Sequence, residues 1–282
     1  MSIIEAIVLG IIQGLTEFLP ISSTGHLTVA GKLMGLISPE HPERWTAFIA
    51  VIQIGTLVAI LIYFWKDLWN IFTSFMKENM FKPKKFSSQS FDSKMGWMII
   101  IGSIPVIIIG LGFKDIIEGT LTKNLYVIAG SLIALGIILA IAEMVGKFKK
   151  ELKDIKWYDA LIVGFAQSLA LIPGSSRSGT TITAGIFLGF KRETAARYSF
   201  LLSVPAVLGS GLLQLYEALE YIDSSGIITL VIATLTAAIS GYLTIELLLR
   251  FLRKNSTFVF VFYRVAIGIV IFILIYNNFI QP

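Results

Sequence analysis

The sequence predicts an all-α polytopic membrane protein arranged as an inverted-topology repeat: six transmembrane helices plus two re-entrant helical hairpins, about ten helices in all. Three observations predict it. Six apolar runs are long enough to cross a bilayer, which takes about 20 helical residues each. Two further apolar segments are broken near their middles by a proline followed closely by serine, threonine and glycine. Each half of the chain then carries one broken segment and three crossings, and because three is odd the halves must face opposite ways across the membrane.

Composition bounds the rest. Of the 282 residues 55% are hydrophobic and only 15% charged, so the spans leave little chain for a soluble domain. A single integral membrane domain over residues 1–282 is expected, with repeat 1 at about 1–145 and repeat 2 at about 157–282. Glu5, Gln13 and Glu17 interrupt the first apolar run, which therefore does not read as a cleaved signal peptide, and the N-terminus is expected to be retained. Cysteine is absent, which excludes disulfides and thiolate metal sites. The net charge of +5 does not call for nucleic acid, since lysine and arginine in such a chain mostly report orientation.

The first broken segment, about 3–36, holds Gln13 and Glu17 four residues apart on one helical face, ahead of Pro20, which stops the helix. Ser22 and Ser23 are good N-caps for a second half-helix, whose free N–H groups and positive dipole end make an anion site. Ser23 and His26, three apart, can address one bound group, a nucleophile beside a base being one reading. His41 reads as a solvated loop residue. A span at 46–65 leads to a loop over 66–94, whose lysines from Lys77 to Lys94 read as an orientation signal rather than a site for anionic lipid or a partner. Spans at 95–113 and 125–144 complete the first half.

The second broken segment, about 158–190, repeats the plan. Pro173 and Gly174 break it, Ser175 or Ser176 caps a new helix, and Arg177 and Thr181 share a face. An arginine inside a membrane costs about 2.5–3.5 kcal/mol on insertion scales, so it needs a partner or an anionic ligand. Glu17 is the candidate partner, and the guanidinium fork flanked by hydroxyls of Ser176, Ser178 and Thr181 suits phosphate oxygens. Spans at 199–219, 227–249 and 257–277 follow. Arg264 in the last span reads as packing, its stem reaching the inner interface or Glu246, while Glu143 and Glu246 read as interfacial.

Charge orients the bundle. If the first hairpin enters from outside, the stretches 66–94, 145–157, 191–197 and 250–254 lie inside and hold 17 of the 23 lysines and arginines. The opposite loops hold Lys32, Arg44, Lys114 and Lys123, and both termini are outside. The repeat is visible in the residues: Gly10, Gln13 and Leu15 align with Gly164, Gln167 and Leu169, and Pro20, Ser22 and Ser23 with Pro173, Ser175 and Ser176 after a one-residue slip.

At these residues the chain resembles the bacterial undecaprenyl pyrophosphate phosphatase, or bacitracin-resistance phosphatase, family. The family patterns are (E/Q)-x-x-x-E, matched from Gln13 to Glu17, P-x-S-S-T-G-H, from Pro20 to His26, and P-G-x-S-R-S-x-x-T, from Pro173 to Thr181. The resemblance implies removal of the terminal phosphate of a polyprenyl diphosphate lipid, undecaprenyl diphosphate, in the bacterial inner membrane. The monophosphate carrier is thereby recycled for peptidoglycan synthesis. It implies Glu17, Ser23, His26 and Arg177 as catalytic residues, with Ser176 and Thr181 as phosphate contacts; Gln13, Ser22, Thr24 and Ser178, beside them in the two breaks, are expected to bind substrate as well. It also implies a divalent cation, Mg or Ca, at Glu17, and a site facing outward. Some members carry Glu where this chain has Gln13; an amide adds no charge, so Glu17 alone would hold the cation. Attack by Ser23 and attack by a metal-bound water both stay open. A transporter or flippase using the same cradle is the alternative function, separated from a phosphatase by the Ser23 and His26 pair, which a carrier does not need. An intramembrane serine peptidase gains little from an arginine cradle. Tail length and oligomeric state, a homodimer included, are left open.

Overall fold

The computed structural model describes residues 1–38, 42–113, 124–218 and 226–280; His41, Lys114 and Lys123 lie outside the described residues. Eleven α-helices form among them: α1 (Ile3–Phe18), α2 (Ser23–Leu33), α3 (Pro42–Tyr63), α4 (Trp65–Met76), α5 (Phe91–Gly112), α6 (Leu125–Val145), α7 (Trp157–Ser168), α8 (Arg177–Phe187), α9 (Arg192–Ala218), α10 (Ile227–Lys254) and α11 (Phe258–Tyr276). Six of these, α3, α5, α6, α9, α10 and α11, are long and apolar enough to cross a membrane. The broken segments are the pairs α1–α2 and α7–α8.

Two boundaries differ from the sequence reading. The stretch after α3 is not a plain loop: α4 adds a helix, with Trp65, Trp69 and Phe72 exposed, Ile71 buried and the Trp65 and Trp69 rings stacked at 5.8 Å. Its four-residue aromatic spacing makes it amphipathic, the pattern of a helix lying at a membrane interface. Residues 191–197 are likewise mostly helix, because α9 starts at Arg192.

The helices pack reciprocally. In lipid, water gives helices no reason to associate, so close contact depends on small residues. On α1, a Cβ at Gly10 would stand 2.4 Å from the Ala233 carbonyl oxygen of α10; on α7, a Cβ at Gly164 would stand 2.3 Å from the Gly102 oxygen of α5. The two glycines that align in the sequence thus seat the first helix of each broken pair against a span of the other half. Phe18 ends α1 edge-on to Phe200 of α9 at 5.4 Å, inside the main apolar cluster.

Ion pairs gather at the ends of the spans that carry the basic residues. Arg197 bonds Asp67 at 2.9 Å, Arg253 bonds Glu193 at 2.8 Å, and Lys150 bonds the fully buried Asp159 at 2.9 Å. Glu143, expected at the interface, is buried, paired with Arg192 and accepting from the Thr257 hydroxyl at 2.8 Å. Glu246 is held by Tyr63 and Arg250.

Candidate active site

Both breaks are built the same way. Ser22 caps α2 at φ 75°, its hydroxyl accepting from Gly25 N at 3.3 Å, and Ser176 caps α8 at φ 68°, accepting from Gly179 N at 3.1 Å. Serine at positive φ is strained, by about 1–3 kcal/mol, and persists only where its surroundings over-determine it. The offset relating Gly10 to Gly164 also relates Ser22 to Ser176 and Gly25 to Gly179, so the one-residue slip inferred from the prolines is wrong at the caps. Aligning Pro20 with Pro173 misplaced it; the cap geometry puts Ser23 opposite Arg177.

What holds the strained caps is Arg264, only 1% exposed. Its Nη1 donates to the Pro20 carbonyl at 3.0 Å, Nη2 to Ser175 O at 3.0 Å and Gly174 O at 3.3 Å, and Nε to Leu132 O at 3.1 Å. It does not reach Glu246, which Tyr63 and Arg250 hold. One guanidinium instead ties together the carbonyls freed by the two chain breaks, as broken helices in lipid require.

Glu17 stands where the breaks meet. Its Oε1 accepts from Arg177 Nη2 at 2.9 Å, across the two halves, and its Oε2 accepts from Ser23 Oγ at 2.7 Å and Gln13 Nε2 at 3.2 Å. The structure therefore brings Gln13, Glu17, Ser23 and Arg177 together. Ser178 Oγ donates to Leu19 O at 3.0 Å and lies 3.2 Å from Ser176 Oγ. Thr181 lies against Ser199 at 2.6 Å and back-bonds to Arg177 O at 2.7 Å, so its hydroxyl faces α9.

His26 is turned away from Ser23. Its Nδ1 is 2.7 Å from Ser22 O, and since a carbonyl only accepts, Nδ1 carries the proton. Its Nε2 is 2.8 Å from the Tyr263 hydroxyl, the rings stacked at 5.5 Å.

A cavity of about 590 Å³ opens beside this cluster. Its polar end is lined by Glu17, Ser23, Thr24, Gln53, Ser176 and Arg177, with Ser22 and Gln167 also in the wall. His26, Ser178 and Thr181 do not line it. Several polar atoms are unspent: Arg177 Nη1 and both amide atoms of Gln167, in the cavity wall, and Gln13 Oε1, beside Glu17, are buried without a partner. Sequence reasoning missed Gln53, Gln167 and Tyr263 as neighbours of the site. Gln53 was the one strongly polar residue in the middle of its span, a usable signal, and Gln167 had already aligned with Gln13.

Residues 6–270 match the family described as bacitracin resistance protein BacA. The chain is 60% identical to an undecaprenyl-diphosphatase of Syntrophobacter fumaroxidans over 268 residues, 95% of each chain. It is 50% identical to one of Chloroherpeton thalassium over 278 residues, again 95% of each, and 48% identical to one of Chlorobium phaeovibrioides over 291 aligned positions spanning 100% of both.

Proposed function

The chain belongs to the bacitracin resistance protein BacA family, and on that premise we propose that it is a bacterial multi-pass membrane phosphatase acting on undecaprenyl diphosphate. The products are undecaprenyl phosphate and inorganic phosphate, which returns the carrier lipid to peptidoglycan synthesis. The observation that carries the reading is the hydroxyl of Ser23 bonded at 2.7 Å to a carboxylate that Arg177 holds at 2.9 Å, at the wall of a cavity. A carrier would need the cradle but not a hydroxyl poised on a base.

In the reaction Ser23 Oγ attacks the terminal phosphorus while Glu17 takes its proton. The bond to the bridging oxygen breaks, the lipid monophosphate leaves with that proton, and Glu17 is free again. Water then attacks the phosphoserine, giving a proton to Glu17, which passes it to Ser23 Oγ as inorganic phosphate departs. Arg177, with Nη1 unspent, donates to the phosphate oxygens as charge builds on them, joined by Ser176 and the N–H groups at the α2 and α8 ends. His26 assists the second step only where its Nε2 exchanges Tyr263 for the reacting group; otherwise it braces the Ser22 turn.

A divalent cation fits the oxygens present. Glu17 and the unpartnered Gln13 Oε1 would hold it, and it would neutralise phosphate charge. One carboxylate and one amide suit an ion that keeps its waters and substrate oxygens, as Mg does, better than a closed Ca cage.

The matched serine caps and the reciprocal packing of α1 and α7 support α1–α2 and α7–α8 as re-entrant hairpins of an inverted repeat. The basic residues support termini and site on the outer side. Phosphate release from undecaprenyl diphosphate by purified protein, with chelator and with Mg restored, tests the activity. Trapping phosphate on Ser23 tests the covalent route, and full turnover by Ser23→Ala would remove it.

A further inference from the structure

The cavity does not stop at the charged cluster. It continues between α5 and α9, where the wall becomes apolar: Val106, Ile107 and Leu111 on one helix, Ala206, Val207 and Leu213 on the other. Ile107, Leu111 and Leu213 are 49%, 70% and 44% exposed, so the arm borders the surface that faces hydrocarbon. Each helix carries an internal proline, Pro105 and Pro205, and Pro205 itself lines the arm. Proline removes a helical hydrogen bond and bends the helix, which opens a gap between neighbouring spans.

Two glycines line the same arm, Gly110 on α5 and Gly209 on α9. A Cβ on either would meet no atom within 4 Å among the described residues, unlike Gly10 and Gly164, where a Cβ would strike a facing helix. These glycines therefore serve no helix contact; what their missing side chains leave is open bore. At the other end of the same cavity Gln167 is 1% exposed with neither amide atom partnered, and a buried amide left unpaired is destabilising until a ligand supplies its bonds. The cavity is thus polar at one end and apolar at the other, the shape of a lipid carrying a charged headgroup. At about 590 Å³ it encloses a ligand of ordinary small-molecule size, room for a diphosphate and about two or three isoprene units, the remaining tail staying in lipid.

Resting on the phosphatase reading, we propose that the arm between α5 and α9 seats the isoprene units next to the diphosphate, and that Gly110 and Gly209 hold its bore open.

A farnesyl diphosphate analogue with a diazirine on its first isoprene unit, photolysed with the full-length protein in detergent, tests this by peptide mapping. Label is expected on residues 105–113 and 205–213, displaced by undecaprenyl phosphate, and at least fivefold weaker in Gly110→Phe and Gly209→Phe. Both variants should keep the wild-type melting temperature, since a Cβ at either position meets no atom within 4 Å among the described residues. Label on other helices, label that the two variants leave unchanged, or no displaceable label overturns the proposal. Phosphate release by the same wild-type preparation is read separately: its absence fails the phosphatase reading, while the label still reports whether the arm takes a prenyl diphosphate.

Discussion

Arg264→Met is the sharpest test of how the two breaks are held. The side chain is buried, and the substitution removes three bonds of 3.0–3.1 Å, to Leu132, Pro20 and Ser175, plus two longer ones to Gly174 and Ser131. Bonds from a charged donor are worth about 1.5–3 kcal/mol each, so the gross loss is roughly 5–9 kcal/mol. Burying the guanidinium costs several kcal/mol in the wild type, which methionine avoids, and the net destabilisation should be about 3–5 kcal/mol, as for breaking other buried charge networks. For a chain of this size that lowers the melting temperature by roughly 10 °C. The strain of Ser22 and Ser176, about 1–3 kcal/mol each, is then no longer over-determined. Both caps relax, Ser23 and Arg177 lose their register, and turnover falls even below the new melting range. Arg264→Lys should recover little, because one ammonium cannot span Pro20 and Ser175 together. Thermal unfolding in detergent and phosphate release at 25 °C are the assays. Unchanged melting and unchanged turnover in Arg264→Met would refute the clamp, and lost turnover with unchanged melting would move Arg264 from the backbone into the chemistry.

Other outcomes follow from the same geometry. Glu17→Gln removes the base from Ser23 and the anion from Arg177, and should lower kcat by about 10²–10⁴; steady-state kinetics near wild-type level would exclude Glu17 as base. Tyr263→Phe frees His26 Nε2 without changing the fold, so the pH profile of kcat should shift while KM stays put, and an unmoved profile would leave His26 as a brace only. Gly164→Leu drives a side chain into α5 at Gly102 and should cost about 1–3 kcal/mol or more, read as lost protein in the membrane fraction. Glu78, on the turn after α4, is held below the usual carboxylate range, first by Lys84 at 2.8 Å and then by the Ser90 N–H at 2.8 Å. Its contribution is full above the unfolded pKa and is lost as pH falls through the folded one. Amide exchange over residues 77–90, corrected for intrinsic rates, should therefore be less protected at pH 4 than at pH 7 and no different between pH 6 and pH 8.

The six spans, the two breaks and the pairing of Glu17 with Arg177 were legible in the sequence because each rests on local chemistry. A run of apolar residues crosses lipid, proline stops a helix, and a lone carboxylate and a lone guanidinium at depth seek each other. The helix α4 was missed because averaging over a window hides a short helix with one aromatic face and one polar face. The cap register was misread because the prolines, and not the positive-φ serines, set the alignment. Tertiary structure alone decided that Arg264 clamps both breaks, that His26 rests on Tyr263, that Thr181 turns to Ser199, and that the cavity runs on between α5 and α9. Each joins elements far apart in the chain, and depends on how helices are rotated and crossed. Hydropathy records that a residue lies in lipid but carries no information on which neighbour its side chain meets there.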